Sequence, residues 1–212
     1  MFNPHLLDHS HGSLNNHYLD KFEHVINNAL SEHPRTLAVR VDLRLSPGWF
    51  NNDDMLSCHP NLSSDLMTRF IRSLMAKIVS YRQRLLKQDK RAHPCTLRYY
   101  WVKESETLHY PHYHTVLFFN KDLFRQLGCF DSENRNLGSM IKEAWLSALG
   151  LKGHDEYRAL VHFPDNPTYV LDRNQPDFAA HYQALVFRAS YLAKDRSKVY
   201  SASDRSLGYS QK

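Results

Sequence analysis

The sequence has few cysteines, and they are not arranged as a cross-linked framework. The chain contains three cysteines, Cys58, Cys95 and Cys129, which are widely spaced and include no C-x-x-C pair. Small disulfide-stabilised secreted proteins carry dense cysteines, usually in even numbers, and structural zinc sites commonly use paired ones. The composition therefore argues against a disulfide framework and favours a reducing compartment, which we expect to be the cytoplasm.

Long hydrophobic runs are also absent, and glycine and proline are scarce. No stretch reaches the roughly 18 consecutive apolar residues of a membrane-spanning helix, and no basic segment followed by an apolar one opens the chain. Seven glycines and nine prolines among 212 residues give no sign of extended disorder. We expect a single domain over residues 1–212, with no membrane partner, a loose lead-in at 1–13 and a basic tail at 195–212.

Basic residues outnumber acidic ones, 27 to 22, so the formal net charge of +5 favours an anionic partner. The excess is concentrated in residues 62–88, where apolar spacing predicts a long amphipathic helix. We predict that its exposed face contacts the nucleic-acid backbone, with an ordinary solvated face as the alternative. The arginines expected to make these contacts are Arg69, Arg72, Arg82 and Arg84.

The segment TLAVRVDLRL, residues 36–45, alternates strictly between apolar and other residues and predicts the first strand. Arg40, Asp42 and Arg44 project from one side of it. That side is either solvated or shared with a functional site, in which case Arg40 and Arg44 would be available to phosphates.

Two histidines, His112 and His114, open the most apolar run of the chain, within LRYYWVKESETLHYPHYHTVLFFN at residues 97–120. The run predicts two antiparallel strands joined by a short connection. Side chains alternate across a strand, so both histidines share a face. If Glu104 pairs opposite His112, the Cβ atoms of the two residues lie about 5 Å apart.

These three side chains would offer two nitrogens and one carboxylate to a cation, a set that suits Mn²⁺ or, with retained waters, Mg²⁺. Two alternatives stay open. A two-residue shift in register would replace Glu104 by Glu106 on the same face. A structural zinc site would use His109 with His112 and His114.

Further helices are predicted at 14–30, 121–128, 137–149 and 176–194, and a further strand at 157–163. The pattern indicates an α+β domain with a mainly antiparallel sheet backed by helices. In the last helix Tyr191 and Lys194 are three residues apart and share a side with Phe187, opposite the apolar stripe. An ordinary surface pair near a helix end is the alternative.

The order of these motifs resembles that of the HUH endonucleases, the rolling-circle replication initiators and relaxases. The shared features are a strand with Arg40 and Asp42, an acidic residue before the histidine pair, and a tyrosine with a lysine on a late helix. RVDLRL, HYPHYHTVLFFN, YLAK and RSLGYS are, in addition, similar to the YagK/YfjJ-type prophage proteins, also described as inovirus-type replication proteins. The chain departs from the HUH pattern at Tyr113, where an aliphatic residue is usual.

The resemblance implies a ferredoxin-like or RRM-like sheet, Mg²⁺ or Mn²⁺ on the histidine pair, and Tyr191 as the nucleophile that cuts single-stranded DNA. It implies a 5′-phosphotyrosine intermediate and a free 3′-hydroxyl, with Lys194 assisting at the phenol or the phosphate. Tyr182 and Tyr200 are the other tyrosines considered for this role. The expected partners are single-stranded DNA or an origin hairpin and a host helicase, in a bacterial or phage-infected cytoplasm.

Two other functions remain open at the level of sequence. One is a DNA- or RNA-binding regulator on the same fold that does not cut its ligand. The other is a metal-dependent enzyme that acts on a nucleotide without using Tyr191. Neither of them would form a covalent adduct with DNA.

Overall fold

The computed structural model describes residues 2–10, 12–50, 58–104, 110–128, 136–195 and 205–211. The strands within these residues are Arg35–Leu43 (β1), Arg98–Glu104 (β2), His112–Asn120 (β3), Val161–His162 (β4), Thr168–Asp172 (β5) and Leu207–Tyr209 (β6). They form one antiparallel sheet in the order β4-β1-β3-β2-β6, and β5 pairs with the other half of β1.

Four α-helices cover the sheet in the described part of the chain. They are Asn16–Glu32 (α1), Leu66–Lys87 (α2), Leu137–Leu149 (α3) and Phe178–Ser190 (α4). Helix α1 begins where the Asn15 side chain accepts a hydrogen bond from the Tyr18 amide, and α3 begins with a reciprocal Asn136 and Ser139 capping box. Helix α3 ends at Gly150, whose φ of 77° is left-handed and suits glycine.

The sheet separates two hydrophobic cores, and the alternation of β1 explains why. Leu37, Val39 and Val41 pack with α2 and α3 on one side, here called the α2 face. Ala38 packs with α1 and α4 on the opposite side, here called the α4 face. Side chains two residues apart share a face, so Arg40 and Asp42 lie on the α4 face.

The structure confirms the α+β class and the mainly antiparallel sheet in a single domain. The first strand, the hairpin and the helix at 137–149 are also confirmed. No helix in the described ranges combines the length and apolarity that crossing a bilayer requires.

Two predicted elements are wrong. Residues 121–128 form turns, because the Asn120 side chain accepts a hydrogen bond from the Asp122 amide and holds the backbone in a local turn. The predicted strand at 157–163 is a 3-10 helix, Asp155–Leu160, followed by the short β4. Tyr157 there packs against Trp49 with ring centroids 5.4 Å apart, which favours the helical turn.

The lead-in predicted to be loose at 1–13 packs against the domain in its described part. Phe2 is buried in the α4-face core, and the Asp8 amide donates a 2.8 Å hydrogen bond to the Ser190 hydroxyl. Near the other end, β6 pairs with β2 through Tyr100 and Tyr209. The described residues 2–10 and 205–211 are therefore both held against the domain.

Candidate metal centre

The β2–β3 hairpin has the predicted register. Glu104 lies opposite His112 and Val102 lies opposite His114, so the acid and both histidines share the α4 face. A strand pair with alternating side chains thus places three potential ligands together without any contribution from a loop. Glu106 and His109, the residues of the two alternatives, lie outside the described residues.

Three ligand atoms converge at the end of this hairpin. Nε2 of His114 lies 3.1 Å from Nε2 of His112 and 3.2 Å from Oε2 of Glu104. Nε2 of His112 lies 4.0 Å from the same carboxylate oxygen. Glu104 is buried, whereas the side chain of His112 is 30% exposed, so the cluster is open to solvent on the side of His112.

Asp42 determines which nitrogen of His114 faces the cluster. Strand β1 pairs with β3 so that Asp42 lies opposite His114, and Oδ1 of Asp42 is 2.6 Å from Nδ1 of the imidazole. A carboxylate can only accept, so Nδ1 carries the proton and donates it. Nε2 then has a free lone pair directed at Glu104 and His112, as in metal-bound histidines held by carboxylates.

Arg40 keeps Asp42 in its charged form. Burial alone would raise the pKa of Asp42, but the hydrogen bond with His114 and the guanidinium of Arg40 lower it well below the usual range. Arg40 also hydrogen-bonds to Asp42 directly, and its side chain is 7% exposed. We expected Arg40 to contact the nucleic-acid backbone; in the structure it is buried and packs behind the cluster, against Asp42.

Lys194 reaches the cluster because helix α4 ends a few residues before this lysine. Helix α4 ends at Ser190, and Tyr191–Ala193 form a 3-10 turn. Beyond the turn, Lys194 pairs with Leu14 in an isolated β-bridge, and the Asn15 amide donates a 2.7 Å hydrogen bond to the Ala193 carbonyl. The helix predicted to about residue 194 therefore changes to a 3-10 turn after Ser190, and Lys194 is buried instead of sharing an exposed face with Phe187.

The ammonium of Lys194 joins Tyr191 to Glu104. It donates a hydrogen bond to the Tyr191 hydroxyl, and its Nζ lies 3.2 Å from Oε2 of Glu104. Burial alone would lower the pKa of Lys194, but the contacts with Tyr191 and Glu104 raise it above its ordinary value. These contacts therefore favour the protonated form of the lysine between the phenol and the carboxylate.

Tyr191 itself lies beside the histidines. Its ring centroid is 6.2 Å from that of His114, and the side chain is partly exposed. Tyr182, also considered for the nucleophile, packs in the α4-face core against Phe178 at 5.8 Å and Phe2 at 6.5 Å. Tyr200 lies outside the described residues.

The helix α2 arginines lie on the α2 face, across the sheet from the cluster. Two of them are engaged within the fold: Arg69 hydrogen-bonds to Asp65 and to the Ala148 carbonyl at 3.0 Å, and Arg82 donates to the His93 carbonyl at 2.8 Å. Their expected contact with the nucleic-acid backbone stays a prediction.

The other predicted arginines remain closer to solvent. The guanidinium of Arg84 lies over the Tyr81 ring, 5.2 Å from its centroid. Arg72 and Arg44 are exposed, the second just beyond the end of β1. These two positions keep the availability to anions that the sequence predicted.

The donor set fits a divalent cation. Glu104, His112 and His114 each offer one ligand atom, and all three atoms lie within 4.8 Å of one another. Metal–ligand distances of about 2.1 Å place neighbouring ligand atoms roughly 3 Å apart, which the two distances at His114 match. Sequence reasoning did not assign Asp42 to this site, although the alternation of β1 places it on the correct face.

Comparison with known proteins gives the relatives of the chain. The model of the family described as YagK/YfjJ C-terminal domain matches residues 2–210. The chain is 43% identical over 194 residues to the uncharacterised protein YagK of Escherichia coli (strain K12), covering 92% of each. It is 35% identical over 206 residues to the uncharacterised protein YfjJ of the same strain, covering 95% of this chain and 96% of YfjJ. No solved structure shows significant similarity. The match over nearly the whole chain shows that it belongs to the YagK/YfjJ family.

Proposed function

We propose that this protein is a metal-dependent enzyme that cuts and rejoins one strand of DNA through a covalent bond to Tyr191. The observation that carries the proposal is the position of Lys194, which donates to the Tyr191 hydroxyl and lies 3.2 Å from Glu104. One cation thus joins a candidate nucleophile to a candidate metal centre. The resemblance to HUH endonucleases, in which a tyrosine and a histidine pair act together, supports the same assignment.

The charges of the site favour an anionic substrate. Two carboxylates, Glu104 and Asp42, are balanced by two cations, Lys194 and Arg40. A divalent cation on the histidines would therefore leave the site with an excess of positive charge. A phosphodiester would neutralise part of that excess, and its affinity for the loaded site follows from electrostatics.

A Mg²⁺ or Mn²⁺ ion held by Glu104, His112 and His114 would polarise the scissile phosphate and stabilise the charge that develops on it. Tyr191 supplies the nucleophile: its phenol oxygen forms a bond to phosphorus while the bond from phosphorus to the 3′-oxygen breaks. The phenol loses a proton and the 3′-oxygen gains one, leaving a 3′-hydroxyl and a 5′-phosphotyrosine. The reverse reaction rejoins the strand.

Lys194 assists at the phenol. As a protonated donor to the Tyr191 oxygen, it stabilises the negative charge that develops there during attack and return. Its contact with buried Glu104 fixes the ammonium in place, so little reorganisation is needed. Reversible single-strand cutting of this kind suits the start of rolling-circle replication of a phage, plasmid or integrated element, on single-stranded DNA or an origin hairpin and with a recruited host helicase.

The test is covalent adduct formation with a randomised pool of single-stranded oligonucleotides and Mn²⁺, resolved on a denaturing gel. A 5′-phosphotyrosine retains the 3′-terminal fragment, so a 3′-label should move with the protein and a 5′-label should be released. Tyr191→Phe should abolish the adduct, and Tyr182→Phe, a tyrosine of the same segment, is the matched control. An adduct that persists in Tyr191→Phe would exclude this nucleophile, and DNA binding without any adduct would favour the non-catalytic regulator.

A further inference from the structure

A cleft lies on the α2 face, away from the metal centre. It runs between helix α2 and the sheet edge formed by β2 and residues 205–211. Its larger part has a volume of about 410 Å³, and an adjoining part of about 320 Å³ shares Trp101 and Arg205 with it. The proposed cutting reaction gives this cleft no role, because Glu104 and both histidines project from the opposite side of the sheet.

The cleft is cationic. Arg72 from α2 and Arg205 from the C-terminal segment line the larger part, and its described lining contains no acidic side chain. The smaller part includes Asp65, but that carboxylate forms an ion pair with Arg69. Two guanidinium groups without a facing acid form a site for an anion with several oxygen acceptors, and phosphate is the usual one.

The floor of the cleft is aromatic. Tyr99 and Trp101 of β2 project toward it, two residues apart on the same face. Burial raises the pKa of Tyr99, and the charge of Arg205 partly offsets this effect, so the guanidinium lies close to the phenol. The indole of Trp101 extends across β6 at Gly208, where an ideal Cβ would be 2.2 Å from the ring. The Gly208 backbone thus covers part of the indole, which is 8% exposed, and Tyr99 is the more exposed ring beside the two arginines.

We propose that this cleft binds single-stranded nucleic acid at a second site, separate from the metal centre. Arginines pair with phosphates, and a partly exposed ring such as that of Tyr99 can stack with a base, which is the combination found in channels for single strands. Two connected parts that share Arg205 accommodate consecutive nucleotides, whereas a single mononucleotide would occupy only one of them. The proposal depends on the cleft alone and holds whether or not Tyr191 cuts DNA.

Trp101 lines the cleft, so its fluorescence can report binding there. In the Tyr191→Phe protein without metal, titration with an oligothymidylate of about 12 nucleotides should quench tryptophan fluorescence, because bases stack near Trp101. The double variant Arg72→Gln with Arg205→Gln should weaken binding at least tenfold. It should also reduce the slope of log affinity against log salt by about 0.7 for each phosphate contact that is lost.

A matched control removes the same charge elsewhere. Arg91→Gln with Arg125→Gln removes two exposed arginines that lie outside the lining of this cleft. This control should keep both the affinity and the salt slope. Equal losses in the two double variants would show diffuse surface binding and overturn the proposal.

Two further results bear on the ligand. Binding of thymidine 5′-monophosphate as tight as that of the oligomer would contradict a site for a strand, and so would preferential binding of an acidic peptide. Trp101→Phe should remove the fluorescence change while binding persists by calorimetry. Failure of the cutting proposal would be seen separately, as an absent covalent adduct in the unmodified protein that still binds through the cleft.

Discussion

Nδ1 of His114 lies 2.6 Å from Oδ1 of Asp42, and this contact fixes the tautomer that leaves Nε2 free for a metal ion. Asp42→Asn keeps the shape but removes the charge that orients the ring. We expect a 10- to 100-fold weaker affinity for Mn²⁺, roughly the effect of losing such a partner. Calorimetry measures the change. Asp172→Asn, which alters a buried acid paired with Arg35, should leave the affinity unchanged.

The histidine pair itself should be necessary for cation binding. His112→Ala with His114→Ala removes two of the three ligand atoms, and we expect Mn²⁺ binding to become undetectable by calorimetry. His162→Ala is the control, because His162 is an exposed histidine opposite Asp42 on the neighbouring strand. Retained binding in the double variant would show that the cluster is not the cation site.

Replacing Lys194 should increase the stabilisation by Mn²⁺ but slow the proposed cutting reaction. Lys194→Met leaves buried Glu104 without its cation, and breaking such a pair costs about 3 to 5 kcal/mol of the free energy of unfolding. Mn²⁺ would restore the missing positive charge, so it should raise the melting temperature of the variant more than that of the original protein. Covalent adduct formation should nonetheless slow by about 100-fold.

Lys194→Arg is the control for this variant, since it keeps a buried cation and should lose less stability. If Mn²⁺ raises the melting temperature of Lys194→Met less than that of the unmodified protein, the lysine is not the charge partner of Glu104.

The hairpin could be predicted from the sequence because its geometry is local. The alternation of side chains across a strand and a short connection determine that Glu104 faces His112, and both strands are rich in aromatic and β-branched residues. The inward turn of Lys194 could not be predicted. It depends on Leu14 and Asn15, some 180 residues away, and the helical spacing of the preceding residues indicates a continuing helix. The burial of Arg40 was missed for a similar reason, because it follows from pairing with β3.

His33 should make the stability depend on pH. Burial lowers its pKa, and its neutral Nε2 accepts a 3.1 Å hydrogen bond from the Thr96 amide. A histidine with a depressed pKa contributes stability above its ordinary pKa of about 6.5, and that contribution is lost as the pH falls through this range. Urea unfolding at pH 7.5 and 5.5 should therefore show a larger loss in the unmodified protein than in His33→Gln. The glutamine keeps an acceptor but does not titrate, so equal losses would exclude this role.

Gly208 is required by the indole of Trp101. An alanine there would place Cβ 2.2 Å from the ring, and overpacking of this kind costs about 1 to 3 kcal/mol. Thermal unfolding of Gly208→Ala should show this loss. Gly48→Ala, whose new Cβ would lie 3.8 Å from the Ser46 hydroxyl and meet no other atom of the described residues within 4 Å, should be nearly neutral.

The bridge between Leu14 and Lys194 makes one part of the site depend on the N-terminal segment. Glu104, His112 and His114 come from a single hairpin, so their grouping depends on two neighbouring strands. The position of Lys194 depends in addition on Leu14 and Asn15, some 180 residues away in sequence. Loss of the N-terminal contact should therefore displace the lysine from Glu104 while the hairpin keeps its register.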